Sequence, residues 1–195
     1  MFSGINRSCR AMAVLATAGL LSLTAACGGD SAGAVGDTGN SVGSLHTEVT
    51  VEVTGAVTLK GTSKAPMPTN NGVDYKSCDQ YGDGEADDEG VNYYVIPQML
   101  TDSIDGKTVF VGAMIKNYHG AGTYQRATLT DTGSPPGISF GGDLFYTQQA
   151  TTSTITTDGK GGGSWVFTGL SVKNPDGTEG GGPAVSGTVT WSCRS

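Results

Sequence analysis

Basic side chains are scarce in this chain. Its 195 residues include 11 Lys and Arg against 18 Asp and Glu, which gives a formal net charge of −7 at pH 7. Nucleic acids and anionic lipid headgroups bind proteins through clustered Lys and Arg, and an acidic surface repels both. The composition therefore argues against nucleic acid as a partner, and against a basic patch as the means of holding a membrane.

Helical and membrane-spanning patterns are also missing. Apolar residues do not recur with the period of an amphipathic helix, and Leu and Glu, which favour helices, are few. The apolar run at residues 11–27 is too short to cross a hydrocarbon core of ~30 Å as a permanent helix. Glycine, with 32 residues, and threonine are plentiful instead, and this composition favours turns and strands.

The start of the chain has the layout of an export signal. Arg7 and Arg10 form a positive segment, residues 11–26 are uncharged, and the run closes on small residues. Secretory signal peptides have this order, with an apolar region of about 7–15 residues before the cleavage site. We predict that residues 1–26 are a signal peptide, and that the mature chain carries 9 basic and 18 acidic side chains, a formal charge of −9.

The end of this segment resembles a known processing motif. Thr24-Ala25-Ala26-Cys27 is similar to the lipobox of bacterial lipoproteins, in a relaxed form with Thr at the position usually held by Leu. In that family the cysteine thiol is diacylglycerated and the chain is cut just before it. The resemblance covers residues 1–27 and implies a lipidated Cys27 and a lipid anchor in the cell membrane, on the extracytoplasmic face. The alternative is an ordinary secretory signal cut after an Ala-x-Ala-like site, with Cys27 incidental.

A tether is predicted after Cys27. Residues 27–45 are dominated by Gly, Ser, Asp and Ala, and such a segment buries too little apolar surface to order itself. As a flexible chain it spans roughly 25 Å, enough to lift a domain clear of lipid headgroups. The predicted organisation is therefore signal peptide 1–26, lipidated cysteine and linker 27–45, and folded domain 46–195.

Two cysteines are left for the folded domain. Cys9 lies in the predicted signal peptide and Cys27 is the predicted lipid site, so Cys78 and Cys193 remain. In an exported and oxidising compartment such a pair predicts a disulfide. The alternative is a metal site, for which two lone cysteines without a C-x-x-C motif or a neighbouring histidine are poor ligands.

Downstream of the tether, apolar and polar residues alternate with a period of two. This pattern is typical of half-buried strands, and Pro and Asp-Gly or Asn-Pro signals separate the segments. The predicted strand segments are 49–59 (one long strand, or a strand with a bulge at Gly55), 91–96, 107–116, 124–129, 138–146 (one or two short strands around Gly141 and Gly142), 151–157, 165–172 and 185–193. With eight or nine strands and no helix, we predict an all-β antiparallel sandwich, immunoglobulin-like or jelly-roll. The ending, a strand carrying the last cysteine, is also loosely similar to surface lipoprotein antigens of mycobacteria and other actinobacteria.

One short motif matches a catalytic pattern. Gly137-Ile138-Ser139-Phe140-Gly141 fits the G-x-S-x-G nucleophile elbow, which requires a strand before it, a helix after it and a later histidine. Pro135 and Pro136 precede it, and both histidines come earlier in the chain. We interpret the motif as a glycine-flanked strand end, and no catalytic residue is assigned.

The densest charge lies between Asp79 and Glu89. Asp83, Glu85 and Asp87 alternate, so on a strand they would face one side and offer the hard oxygen ligands that Ca²⁺ requires. The spacing does not fit an EF-hand loop, because Asp88 stands at the position of the turn glycine. A solvated acidic loop is the alternative interpretation. No other cofactor is expected.

A tyrosine-rich connection is the remaining candidate site. Tyr118, His119 and Tyr124 surround two glycines between predicted strands, where the rings either cap the core or form a ligand surface. His119 has no second histidine or acid near it in sequence, which is weak support for catalysis.

These features predict a non-enzymatic, lipid-anchored protein of the cell envelope that displays a domain for interaction. The expected partners are the membrane, through the lipid, and an envelope protein or glycan. The alternative is a carbohydrate- or small-ligand-binding module that serves an envelope enzyme or transporter, supported if Tyr93, Tyr94, Tyr118 or Tyr124 expose coplanar rings. A hydrolase of unrecognised type is a third possibility.

Overall fold

The computed structural model describes residues 45–69, 71–131, 135–172, 178 and 180–195. The predicted signal peptide, Cys27 and the predicted linker up to residue 44 lie outside the described residues. All described residues belong to one unit of the chain, Asn40–Ser195. The first strand begins at His46, where the sequence analysis places the start of the domain.

Nine antiparallel strands make up a large, curled sheet. They are β1 (His46–Gly55), β2 (Leu59–Pro66), β5 (Val109–Gly112), β7 (Gly122–Gln125), β9 (Gly137–Phe140), β10 (Asp143–Tyr146), β11 (Thr152–Thr157), β12 (Gly163–Ser171) and β13 (Ala184–Arg194). The strand order is β2-β1-β13-β12-β10-β9-β5, and β11 and β7 branch from β12. The last strand of the chain thus pairs with the first along ten residues of β1.

The branch arises at a bulge within β12. The first part of β12 pairs with β11 and its end pairs with β10, and the register on β13 shifts between Phe167 and Leu170. Gly169 lies in this interval with φ +76, a conformation that glycine adopts without a steric penalty. The extra residue shifts the alternation, so Phe167 and Leu170 both reach the core although they are three residues apart.

Four short strands form the second sheet. They are β3 (Glu85–Ala86), β4 (Asn92–Val95), β6 (Met114–Lys116) and β8 (Leu129–Thr130), in the order β3-β4-β6-β8. A five-residue helix, α1 (Cys78–Gly82), precedes β3, and a 3₁₀ turn (Arg126–Thr128) precedes β8. The sequence analysis predicts no helix and extends a strand through residues 124–129. Both elements are single turns, too short to give a helical period.

Two predicted strands are each divided in the structure. Residues 49–59 belong to a hairpin, in which β1 turns at Gly55 (φ +111) and returns as β2. Residues 107–116 contain β5 and β6, which lie in different sheets and are separated by Ala113. The pattern there is apolar on both faces because the chain passes through the core as it changes sheets. Residues 138–146 likewise contain two strands, β9 and β10, β8 is separate from β7, and β3 is not predicted from the sequence. The described residues therefore contain thirteen strands.

The segment between β4 and β5 covers two edges of the large sheet. Val111 N donates to Gln98 O (2.7 Å) on the outer side of β5, and Thr101 N donates to Lys64 O (2.7 Å) on the outer side of β2. Since β2 and β5 are the two ends of the strand order, this segment occupies backbone groups at both edges. Covered edges are protected from pairing with other chains.

The core lies on the inner faces of the sheets. On β1, Val49, Val51 and Val53 are completely buried while the residues between them face outward, as the period of two predicts. The largest fully buried side chains are Trp165, Tyr81, Tyr94, Phe140, Phe167, Leu59, Ile96 and Ile115. The all-β antiparallel sandwich class predicted from the sequence is confirmed.

Candidate functional site: a cavity with a glycine floor

The disulfide predicted from the sequence is present. The Cα atoms of Cys78 and Cys193 are 5.5 Å apart, near the most common value for disulfides. Gly161 fits against the bond, since a Cβ there would lie 2.9 Å from Cys193 Cβ and 3.0 Å from Cys78 O. The disulfide joins α1 to β13, and its sulfurs are not available to a metal.

Helix α1 is held at its start by a side-chain cap. Ser77 Oγ accepts a hydrogen bond from Gln80 N (3.1 Å), which satisfies one of the free N–H groups of the first turn. At the other end, Gly82 packs so closely on Gly159 O that a Cβ would come within 2.5 Å of it. These contacts position Cys78 and the buried Tyr81.

The tyrosines of the predicted ligand surface face the core. Tyr118 and Tyr124 are 4% and 3% exposed, and their hydroxyls donate to Gly82 O (2.9 Å) and Gly120 O (2.7 Å). His119 is exposed, with Nδ1 at 3.3 Å from Tyr124 Oη. Tyr118 and Tyr124 therefore cap the core, and they offer no open ring face to a ligand.

The three carboxylates of the predicted calcium site do not converge. Asp83 is the exposed C-cap of α1, whereas Glu85 is 5% exposed and accepts from Tyr75 Oη (3.1 Å). Asp87 Oδ1 accepts from Val91 N (2.9 Å) and so closes its own turn. No group of three or more His, Cys, Asp or Glu within the described residues is arranged to hold a metal ion. The alternation in sequence is lost because a helix end, a strand and a turn succeed one another.

Ser139 lies in the middle of β9, facing outward between Phe110 on β5 and Leu144 on β10. Strand β9 is followed by a two-residue hairpin turn, Gly141 and Gly142, and then by β10. Both glycines have positive φ (+62 and +105). Such turns require residues that tolerate positive φ. The last glycine of the G-x-S-x-G motif thus serves a hairpin, and no helix follows the serine.

Two residues farther along these strands, on the same face, glycines meet across the sheet. Gly112 on β5 pairs with Gly137 on β9, and Gly137 pairs with Tyr146 on β10. Two adjacent positions without side chains leave a depression on the outer face of the sheet. Its volume is about 140 Å³, and its walls include Phe110 and Leu144.

Both glycines are required for this shape. A Cβ on Gly112 would overlap Asp131 Oδ2, and a Cβ on Gly137 would lie 2.6 Å from Phe145 O and 2.9 Å from the ring of Tyr146. The Asp131 carboxylate therefore reaches directly over the floor of the cavity. A carboxylate beside two partly buried rings and a leucine combines a strong hydrogen-bond acceptor with apolar walls. We refer to this depression as the glycine cavity.

A second, wider depression is lined in part by residues that are chain neighbours of glycine-cavity residues. It has a volume of about 660 Å³ and is lined by Arg126, Leu129, Pro136 and Thr147, of which Pro136 and Thr147 are chain neighbours of glycine-cavity residues. It is broad and open. Deep burial of a ligand is characteristic of small-molecule sites, so the smaller glycine cavity is the better candidate.

The outer face of β2, β1 and β13 is rich in hydroxyl and charged groups. Thr50 and Thr62 bond to each other (2.8 Å), Lys60 pairs with Glu52 (3.0 Å), and Arg194 pairs with Glu48 (3.1 Å). These exposed partners satisfy one another, which is typical of a solvated sheet face, and each ion pair contributes little to stability.

The chain was compared with known proteins, and no family model, curated protein or solved structure matches it. None of the helices in the described part of the chain has the length and apolar character needed to cross a membrane.

Proposed function

We propose that this protein is exported, anchored by lipid at Cys27 to the extracytoplasmic face of the cell membrane, and used for recognition rather than catalysis. The observation that carries the proposal is the position of Cys27, at the end of an uncharged apolar run that follows Arg7 and Arg10. The disulfide between Cys78 and Cys193 supports it, because disulfides persist in oxidising compartments outside the cytoplasm.

Removal of Cys27 is expected to abolish anchoring. Wild-type protein produced in a bacterial host should incorporate labelled palmitate and enter the detergent phase, because two or more acyl chains hold a protein stably on a bilayer. Cys27→Ala should take up no label and accumulate as uncut precursor. Cys9→Ala, which removes the cysteine within the signal peptide, is the matched control and should behave as wild type. Labelled lipid on the Cys27→Ala protein would refute the proposal.

A second candidate function is capture of a small ligand in the glycine cavity. The specific observation is the Asp131 carboxylate placed over the Gly112 floor, with Phe110 and Tyr146 beside it. Asp131 already has an interaction within the chain, and a carboxylate has about four lone-pair sites. The remaining sites suit a ligand that donates N–H or O–H bonds to the carboxylate and lays an apolar face on a ring. Sugars and alkylammonium ions share that chemistry.

Ligand capture is tested by NMR titration of the full chain with a panel of monosaccharides and with methylammonium and dimethylammonium. We expect one of the two classes to shift amide signals near Gly112 and Gly137. Asp131→Asn should weaken that binding by about tenfold or more, since a hydrogen bond to a charged group contributes roughly 1.5–3 kcal/mol.

The matched control is Asp143→Asn, an exposed acid on β10 that does not line the glycine cavity. It makes the same change of charge and should leave affinity unchanged. An equal loss in both variants would show that the effect comes from overall charge. No shift at Gly112 or Gly137 with either class of probe would remove this candidate function.

A further inference from the structure

Five of the seven tyrosines form one continuous chain of rings through the core. The consecutive ring centroids of Tyr75, Tyr81, Tyr94, Tyr118 and Tyr124 are 5.4, 4.8, 4.8 and 5.5 Å apart. The chain begins in the segment before α1, passes through α1 and β4, and ends in β7. We call these five side chains the tyrosine chain.

A tryptophan joins the chain at its centre. Trp191 on β13 donates from Nε1 to Tyr94 Oη (2.9 Å), and the two ring centroids are 6.3 Å apart. Trp191 is 4% exposed and Tyr94 is 1% exposed, so this junction is shielded from water. The two residues are held together by a hydrogen bond and by ring contact.

One end of the chain differs from the rest in its hydrogen-bond partner. Tyr75 Oη donates to the carboxylate of Glu85 (3.1 Å), which is a base. The hydroxyls of Tyr81, Tyr118 and Tyr124 instead donate to backbone carbonyls, those of Val95 (2.7 Å), Gly82 (2.9 Å) and Gly120 (2.7 Å).

Burial prevents these phenols from ionising on their own. It is the main cause that raises the pKa of Tyr75, Tyr81, Tyr94 and Tyr118, with the nearby negative charge of Glu85 raising that of Tyr75 further. An oxidised phenol, in contrast, is a strong acid and gives its proton to any base in hydrogen-bond contact. Removing an electron from this chain therefore places a neutral phenoxyl radical beside Glu85.

We propose that the tyrosine chain and Trp191 carry one-electron oxidising equivalents through the domain, and that the oxidant is an oxygen-centred radical such as a peroxyl radical. The peroxyl radical takes one electron from the chain and one proton from solvent and becomes a hydroperoxide. Electron exchange between neighbouring rings moves the electron hole to Tyr75. There the phenolic proton passes to Glu85 Oε2.

The cycle closes with an external thiol. The thiol supplies one electron and releases its proton to solvent, the base returns its proton to the phenoxyl oxygen, and a thiyl radical leaves. The net reaction converts a peroxyl radical and a thiol into a hydroperoxide and a thiyl radical. This activity is separate from ligand capture and from lipid anchoring, and it depends only on the folded domain.

Pulse radiolysis of the full-length protein with the azide radical tests the proposal. This oxidant forms indolyl radicals on tryptophan, and their absorption is resolved from that of phenoxyl radicals. In wild type, phenoxyl absorption should grow at the rate of a fast phase of indolyl decay, and this rate should not depend on protein concentration. In Tyr94→Phe the transfer should slow by about an order of magnitude or more, since the phenylalanine ring is not oxidised.

Tyr93→Phe is the matched control, because Tyr93 is the neighbour of Tyr94 on β4 and is not part of the chain. It should transfer at the wild-type rate. If circular dichroism shows that Tyr94→Phe has lost the β fold, Tyr81→Phe replaces it, with phenoxyl formation at Tyr75 as the readout. An unchanged rate in the folded variant, or phenoxyl growth that scales with protein concentration, would overturn the proposal.

The end point is tested by electron paramagnetic resonance of the frozen radical. In wild type the phenoxyl signal should lie on Tyr75, as identified by its loss in Tyr75→Phe. Glu85→Gln keeps the shape of the side chain but removes the base beside Tyr75, and the signal of the Tyr75 radical should then be lost. A signal that stays on Tyr75 in Glu85→Gln would contradict the assigned proton acceptor.

Discussion

Loss of the disulfide is expected to lower the free energy of unfolding by up to about 4.7 kcal/mol. Cys78 and Cys193 are separated by 115 residues, and closing so long a loop removes much of the conformational entropy of the unfolded chain. Because a domain of this size is typically stable by about 5–15 kcal/mol, this change is a large share of the total. Urea unfolding followed by circular dichroism measures it.

The two cysteines act as one unit in this prediction. Cys78→Ala, Cys193→Ala and the double variant should lose nearly the same free energy, since either change breaks the same bond. All three should keep the β signature in circular dichroism. Additive losses, or two thiols that react with an alkylating agent in native exported protein, would contradict the structural assignment.

Alkaline unfolding is expected to be steep and to release several tyrosine protons together. Burial raises the pKa of Tyr75, Tyr81, Tyr94 and Tyr118 above the usual value of about 10. Above that pH the unfolded chain has lost phenolic protons that the folded chain keeps, so the unfolded state binds fewer protons. The free energy of unfolding then falls as pH rises, by about 1.4 kcal/mol per pH unit for each group and roughly 5 kcal/mol per unit for four.

Below the unfolded pKa of tyrosine these four groups contribute no pH dependence, so the loss is confined to the alkaline range. Tyrosinate absorbance should rise with loss of the fold, in one transition. Tyr94→Phe should reduce the slope by about one proton, or ~1.4 kcal/mol per pH unit. Gradual ionisation of these tyrosines near pH 10, with circular dichroism unchanged, would refute the prediction.

The alternation of side chains along the chain predicts most of the strands. Val49, Val51 and Val53 share one face of β1, and Trp191 and Cys193 share the inner side of β13, as expected from a period of two. The disulfide follows from cysteine usage alone. These predictions succeed because they depend on local pattern and on compartment.

Features that depend on pairing between distant strands are not visible in the pattern. Gly112 and Gly137 meet only because β5 pairs with β9, so the glycine cavity appears in the sequence as two unrelated glycines. The tyrosine chain likewise joins two connecting segments, α1 and two strands, β4 and β7, that only the fold brings together. The sequence signal is the clustering of Tyr118 and Tyr124 around glycines, and it leaves open whether these rings cap the core or form a ligand surface.

Helix α1 is also not visible in the pattern of apolar residues. Five residues give no helical period, and the acidic residues after it suggest an exposed loop. A local signal exists in Ser77, which precedes Cys78 and caps the first turn, and Ser is among the preferred N-cap residues. Because Asp83 is the C-cap of α1, the carboxylates of Asp83, Glu85 and Asp87 do not share one face of a strand.

Mass spectrometry of the amino-terminal peptide, taken from the membrane fraction of a producing bacterium, tests the lipid anchor most directly. The proposed function predicts a chain that begins at Cys27 and carries a diacylglyceryl group on its sulfur. A peptide that retains residues 1–26, or one that begins at Cys27 or elsewhere with an unmodified thiol, would contradict it.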